Sequence, residues 1–262
     1  MIPKIQIAIP SSLTVESADQ KIKTYKVGQV ARAAAIFRID RVLVYRDNTF
    51  DDSNFISTVL RYMETPQYIR KLLFPRTEEL KYIGVVPPLK TPHHAKVEDI
   101  VREGIVTDVG TEGAWVEIGL DCPALMQNIK VRTGQRVTVK VFSRDPLEVE
   151  LFRKPSKSWG YSVEMVSSIK EALNGLVIST TKYGQPITSV MLNEIVQRNA
   201  ARITVVFGSP SRGLDEILSE IGLSPQDVSD YVVNAIPDQG TETVRTEEAI
   251  LATLSVLNMG LH

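Results

Sequence analysis

Near Lys96 the apolar pattern of this 262-residue chain changes period, and no other feature restricts the fold as much. Before that point the strand-like stretch KIQIAI precedes a helical pattern from about Asp19 to Ile39, in which Val27, Val30, Ala34 and Phe37 recur at spacings of three and four. RVLVYR, from Arg41, predicts a second strand. Phe55, Val59 and Tyr62 predict a helix after Ser53 that Pro66 interrupts, with a further turn or two through Tyr68 and Leu72. Two strands, each followed by a helix, begin an α/β layer. After Lys96 the segments GIVTDVG, GAWVEIGL, CPALMQN, QRVTVKVFS and LEVELFRK alternate with period two and are separated by Gly, Asp, Asn and Pro, the pattern of a small antiparallel barrel or sandwich.

Beyond KPSKSWGYSV the α/β pattern resumes. It predicts a helix from Glu164 to Leu173, strand GLVIST, helix SVMLNEIVQRN, strand RITVVFG, helix LDEILSEIG, strand YVVNAIP and a last helix. The expected architecture is therefore one discontinuous α/β domain, residues 1–91 and 155–262, sharing a sheet and carrying an insert at 92–154. Five short strands in that insert fit an OB-like fold, a class that binds single-stranded nucleic acid or oligosaccharide. Trp115, Phe142 and Phe152 are candidate base-stacking platforms, although aromatics supply much of a small domain's burial and most of the three are expected in the barrel core.

Composition removes several functions. Cys122 is the single cysteine, so no internal disulfide framework or cysteine-cluster metal site is available, which suits a cytoplasmic protein. His93 and His94 lie side by side in a Pro-containing linker without the further ligands that zinc needs, and no metal site is expected. Ile5, Ile7 and Ile9 alternate with polar or small residues, which reads as a strand rather than a targeting segment. No apolar run is long enough to span a bilayer. Charge is unevenly spread: residues 1–91 hold 14 Lys and Arg against 9 Asp and Glu, a balance of +5, and residues 155–262 hold 7 against 12, a balance of −5. A basic first third suits an anionic partner such as nucleic acid, and equally suits solvated helix faces.

The phosphate-loop, dinucleotide and serine-elbow signatures are all missing from the sequence. Three loops stand out instead, each after a predicted strand of the last third: STTKYGQ from Ser179, FGSPSRGL from Phe207, and NAIPDQGTET from Asn234. Ligands of α/β sheets bind outside the carboxyl ends of strands, where these loops converge if their strands are neighbours. Gly208, Ser209, Pro210, Gly213, Pro237 and Gly240 would let backbone groups approach a ligand closely. Each loop alone also reads as an ordinary turn; the three together favour a ligand.

The stretch VRTEEAILATLSVLN, with its Gly-containing loop and preceding apolar strand, resembles the end of the SPOUT class of knotted RNA methyltransferases, especially those that methylate N3 of uridine in ribosomal RNA. With GQVARAAAIFRID, KSWGYSV and an OB-like insertion, nearly the whole chain is similar to the branch of that class shared by archaea and eukaryotes. The resemblance implies an α/β-knot fold with S-adenosylmethionine held in a deep trefoil knot, and a homodimer with active sites at the subunit interface. Carried over by position, Thr180, Phe207, Gly208, Asn234, Ile236, Gln239, Gly240 and Thr243 are the cofactor-binding candidates. Ile236, Leu214 and Leu251 are available for the flat apolar face of adenine.

If the acceptor is uridine N3, a proton must leave and a cation can stabilise the anion that remains. Arg245, where the third loop enters the helix, is the candidate for that role or for orienting RNA, with an ion pair to Glu242 or Glu248 as the alternative. Glu247 and Glu248 can instead favour the positive end of the helix dipole, with Thr246 as N-cap. Arg32, Arg38, Arg61 and Arg212, and Lys130, Arg132 and Arg136 on the barrel, are the RNA-binding candidates. The expected activity is S-adenosylmethionine-dependent methylation of a base in ribosomal RNA. The competing reading is a non-enzymatic RNA-binding or assembly factor that retains the fold.

Overall fold

The computed structural model describes residues 3–94, 96, 99–127, 129–152 and 160–261. The chain divides into two compact units: one holds residues 1–61, 79–87 and 161–262, the other residues 62–78 and 88–160.

In the first unit, strands β1 (Lys4–Pro10), β2 (Arg41–Tyr45), β8 (Ser162–Val166), β9 (Leu176–Pro186), β10 (Arg202–Val206) and β11 (Tyr231–Asn234) form one sheet in the order β11-β9-β10-β1-β2-β8. Every neighbouring pair is parallel. Parallel strands are covered on both faces, which explains the near-continuous burial of Ile5–Pro10 and Val42–Tyr45. On one face Ala8, Leu43, Tyr45, Val177 and Val206 pack with Ile169 and Ala172 of α4 (Ile169–Ala172) and with Leu214, Ile217 and Leu218 of α6 (Leu214–Ser219). Helix α8 (Thr246–Leu261) packs on α1 (Gln20–Ile36) and on α5 (Ser189–Gln197).

Local chemistry sets the element ends. Asp19 caps α1 by accepting the Lys21 N–H (2.6 Å), and the helix stops where Arg38 takes a positive φ of 54°. Thr188 caps α5, accepting from the Met191 N–H at 3.2 Å.

The predicted helix from Glu164 is replaced by β8, an edge strand whose register with β2 runs from Arg41↔Ser162 to Tyr45↔Val166. Only the last turn of that expected helix forms, as α4. Ser162 to Val166 bury little, so side-chain pattern does not fix their conformation, and the open backbone groups of β2 decide it by pairing. One short helix, α7 (Pro225–Val228), was not anticipated; Ser224 starts it with a capping box that Asp227 completes.

In the second unit, β3 (Val101–Val109), β4 (Ala114–Glu117), β5 (Ala124–Met126), β6 (Arg136–Arg144) and β7 (Leu147–Leu151) close into a five-stranded barrel in the order β3-β4-β5-β7-β6. This unit also takes in the end of α2 (Ser53–Glu64) and α3 (Gln67–Leu73), a stretch the sequence pattern groups with the α/β layer. Tyr68 of α3 explains why: its hydroxyl donates to the Glu103 carbonyl on β3 (2.9 Å). At the other end, the sequence-derived boundary at 154/155 lies outside the described residues, as do Lys157, Ser158 and Trp159 of the KSWGYSV stretch.

The barrel core is aliphatic, built from Val106, Val116, Ile118, Met126, Val137, Val139, Val141 and Val149 with Ala114 and Ala124. The expectation that most of the barrel aromatics fill it is overturned: Trp115, Phe142 and Phe152 are 39%, 59% and 37% exposed. Trp115 lies between inward-facing Ala114 and Val116, so strand alternation turns it outward.

Candidate active site

Three neighbouring parallel strands, β11-β9-β10, bring the three predicted loops to one edge of the sheet. There they enclose a cavity of about 350 Å³, lined by Thr180–Tyr183, Phe207–Glu216, Val233–Ile236, Gln239, Glu242–Val244, Thr246, Ala249 and Thr253. That volume falls in the roughly 300–1,000 Å³ range of small-molecule sites.

The cavity wall is fixed by hydrogen bonds from each loop to another. Thr180 donates its hydroxyl to the Val206 carbonyl (2.9 Å) and Thr181 donates to Asp215 (2.7 Å), tying β9 to β10 and α6. Asn234 donates from Nδ2 to the Lys182 carbonyl (2.9 Å) and accepts the Ile236 N–H on Oδ1 (2.9 Å). Thr246 donates to the Gly208 carbonyl (2.9 Å). Gln239 closes its own loop by donating to the carbonyls of Thr241 (2.9 Å) and Glu242 (3.0 Å). Behind the wall, buried Tyr45 donates to the Phe207 carbonyl (2.6 Å); burial pushes its phenol well above the ordinary value, so it stays a donor.

Two glycines are needed for this arrangement. A Cβ on Gly208 would sit 2.7 Å from the Leu214 nitrogen, and one on Gly184 would sit 2.4 Å from the Val233 carbonyl carbon. Gly184 ends an excursion of β9. β11 pairs with Ile178 and Ser179 and then, without a gap of its own, with Gln185 and Pro186, so residues 180–184 stand out of the ladder.

Seven of the eight cofactor candidates line this cavity: Thr180, Phe207, Gly208, Asn234, Ile236, Gln239 and Thr243. Gly240 does not, and a Cβ there would meet nothing within 4 Å. Leu214 and Ile236 are in the wall, whereas Leu251 is not. Sequence reasoning missed Thr181, Asp215 and Thr246. Their hydroxyl and carboxyl partners come from distant segments, which no local pattern reveals.

Arg245 stands between two lining residues, Val244 and Thr246, but its own side chain is exposed and outside the lining. Its backbone N–H donates to the Glu248 carboxylate (3.0 Å), so Glu248 caps the helix from its first turn. Thr246 does not act as N-cap, because it is already the first residue of the helix, and its hydroxyl donates to the Gly208 carbonyl instead. Glu247 is buried and turned toward Lys26 of α1 (3.9 Å). Burial pushes its carboxyl above the ordinary range, against the pull of Lys26.

The RNA-binding candidates separate into held and exposed groups. Arg212 is clamped between Asp47 (3.0 Å) and Glu220 (2.5 Å) while lining the cavity. Arg61 donates to the Val163 carbonyl (3.1 Å), and Arg32 is half-buried on α1. Arg136 joins Glu64 (2.6 and 3.1 Å) and Glu103 (2.7 Å) inside the barrel unit, so its charge is engaged internally. Arg38, Lys130 and Arg132 are exposed. His93 and His94 both direct Nε2 to the Glu64 carbonyl (2.6 and 2.8 Å), and among the described residues no cluster of His, Cys, Asp or Glu is placed to hold a metal ion. No helix among them is long and apolar enough to cross a membrane.

The wall chemistry suits a ligand with a flat heterocycle and positive charge. Phe207, Leu214, Val233 and Ile236 offer apolar surface, Asp215, Glu216 and Glu242 offer negative charge, and glycine lets backbone come close. S-adenosylmethionine, with adenine at one end and a sulfonium and an ammonium at the other, has those properties.

Residues 4–257 match the family described as "Putative RNA methyltransferase". A Halobacterium salinarum protein is 40% identical over 283 residues, covering 97% of this chain and 98% of its own length. One from Haloarcula marismortui is 37% identical over 279 residues, covering 97% and 98%. The 28S rRNA (uridine-N(3))-methyltransferase of Mus musculus is 30% identical over 301 residues, covering 98% of this chain and 76% of that one. A match over nearly the whole chain, with a cavity of fitting size and chemistry at the expected sheet edge, places the chain in this RNA methyltransferase family.

Proposed function

We propose that the protein is a SPOUT-class enzyme that transfers the methyl group of S-adenosylmethionine to N3 of a uridine in ribosomal RNA. The observation that carries this reading is the cavity built jointly by the loops after β9, β10 and β11. Similarity to a uridine-N3 methyltransferase along 98% of the chain supports the choice of acceptor atom.

When bound, S-adenosylmethionine supplies an electrophilic methyl carbon, and displacement requires the acceptor in line and within roughly 3–3.5 Å. The protein's task is then alignment. Phe207, Leu214 and Ile236 hold the adenine face, Gly208 brings backbone groups close, and Thr180, Asn234, Gln239 and Thr243 set the loop edges. The N3 proton passes to solvent water, and the S–CH3 bond breaks as N3–CH3 forms, leaving S-adenosylhomocysteine. Arg245, exposed at the point where the cavity wall becomes helix, stabilises the uridine anion or orients the phosphate chain beside it. On the barrel, Trp115, Phe142 and Phe152 with Lys130 and Arg132 give stacking surfaces and cations suited to single-stranded RNA. Exposed Ile22 and Tyr25 on α1 and Met259 on α8 support a homodimer, and the lone Cys122 supports a cytoplasmic location.

Titration calorimetry with S-adenosylmethionine tests the first half: micromolar binding that Gly208→Val removes is expected, and no binding at millimolar ligand would refute it. Mass spectrometry of ribosomal RNA nucleosides with and without the gene tests the second. Loss of 3-methyluridine is expected; an unchanged nucleoside profile refutes the proposed acceptor.

A further inference from the structure

A uridine can reach a methyl donor in this cavity only after leaving its stack, and a base taken out of a stack needs a new surface to lie on. One side chain at the cavity offers it. Tyr183 lines the cavity yet is 76% exposed, the most solvent-open aromatic in the first unit.

Its backbone is not loose. Thr181 accepts the Tyr183 N–H (3.3 Å) and donates to Asp215, Asn234 holds the neighbouring Lys182 carbonyl, and Gly184 abuts the Val233 backbone on the other side. A rigid excursion that presents a bare ring is costly unless something covers it, because an aromatic of this size stabilises by burial. Lys182 places its ammonium 5.1 Å from the ring centroid. A cation beside an aromatic face at the mouth of a site pairs a phosphate contact with a stacking surface, the two elements by which single-stranded nucleic acid is held.

We infer that Tyr183 is the platform on which the target uridine stacks, with Lys182 on an adjoining phosphate. This rests on the proposed methyl transfer for its purpose but not for its test. Anisotropy with a fluorescent oligouridylate, in the presence of S-adenosylhomocysteine, compares wild type with Tyr183→Ala, Tyr183→Phe and Lys182→Ala. The expected result is a roughly 5- to 150-fold loss of affinity for Tyr183→Ala, the range given by one stacked base. Tyr183→Phe should stay within about twofold, and Lys182→Ala should lower the salt dependence by about one phosphate contact. The loss from Tyr183→Ala should vanish on an abasic oligonucleotide of equal length.

Wild-type affinity in Tyr183→Ala, or an equal loss on abasic RNA, overturns the inference. A parallel fall in S-adenosylhomocysteine affinity would assign the ring to the cofactor, and a shift of the variant to a smaller assembly in sedimentation would assign it to a second copy; either result also overturns it. If wild type binds the oligonucleotide through Tyr183 but transfers no methyl group, the platform stands and the enzymatic reading fails.

Discussion

Thr246 donates its hydroxyl to the carbonyl of Gly208 at 2.9 Å, joining the first residue of α8 to the loop that follows β10. These positions are 38 residues apart. The bond fixes the distance between two walls of the cavity, and Thr246 is itself buried.

Thr246→Val keeps the shape and removes the donor, leaving a carbonyl without its partner. A cost of about 1–3 kcal/mol is expected for that unsatisfied group, shared between stability and cofactor binding. Calorimetry should show S-adenosylmethionine affinity reduced by about tenfold or more, whereas Thr246→Ser should restore it. Equal affinity in both variants would show that the two walls are positioned by packing alone.

Gly184→Ala should damage the same site from the opposite side. The added Cβ would fall 2.4 Å from the Val233 carbonyl carbon, and backbone cannot move aside as a flexible side chain can. Overpacking of this kind costs about 1–3 kcal/mol. Displacement of residues 180–184 should lower cofactor affinity and the melting temperature of the first unit. Gly240→Ala, by contrast, should change neither, since open space surrounds that position.

Arg245→Ala tests the cation at the helix entry. The side chain is exposed, so stability should change by no more than about 0.5 kcal/mol. Its removal should lower the single-turnover methyl-transfer rate by roughly 10²- to 10³-fold, the effect of losing one transition-state stabiliser, with S-adenosylmethionine affinity unchanged. A rate within twofold of wild type would remove Arg245 from the reaction.

The parallel sheet, the closed barrel and the three loops were legible in the sequence because each follows from local periodicity and turn chemistry. What was not legible depended on partners far along the chain. β8 is a strand because β2 offers an unpaired edge, and Tyr68 joins the barrel unit through its hydroxyl on the Glu103 carbonyl and the Arg102 guanidinium over its ring. Arg136 looks like a surface cation in QRVTVKVFS, but Glu64, 72 residues away, takes its guanidinium. The barrel aromatics were misplaced for a different reason: small valines and alanines already fill so narrow a barrel, and strand alternation then leaves Trp115 outside.

Trp115 and Phe142 therefore make a prediction of their own. Trp115 is opposite Leu125 on β5, Leu125 is opposite Glu148 on β7, and Glu148 is opposite Ser143, next to Phe142 on β6. Both rings are on the outside of the barrel, and the core does not need them. Trp115→Ala with Phe142→Ala should leave the melting temperature nearly unchanged while weakening single-stranded RNA binding by about 1–3 kcal/mol per lost stack. RNA affinity equal to wild type would show that the barrel holds RNA by charge alone or not at all.

The polar cluster around Glu64 gives the barrel unit a specific acid response. The Glu64 carbonyl accepts from Nε2 of both His93 and His94, while its carboxylate meets Arg136 and His93. Burial lowers the His94 imidazole to about 4, outweighing the carbonyl bond that favours the charged ring. A depressed histidine is neutral in the folded state and binds its proton in the unfolded chain first. Its contribution is therefore complete above the unfolded value near 6.5 and is lost as pH falls toward 4. That gap corresponds to about 3 kcal/mol. Burial raises the Glu64 carboxyl, but hydrogen bonds from His93 and Arg136 with the charge of Arg136 prevail and hold it at about 2. Its contribution is present above pH 4.5 and is lost only between 4.5 and 2. The two losses thus occupy adjacent windows. Urea midpoints followed by tryptophan fluorescence from pH 7 to pH 3 should decline in wild type from about 6.5 downward. In His94→Gln the curve should be flat to about 4.5 and fall only below it. An unchanged slope between 6.5 and 4.5 in that variant would mean that His94 is not the group that titrates.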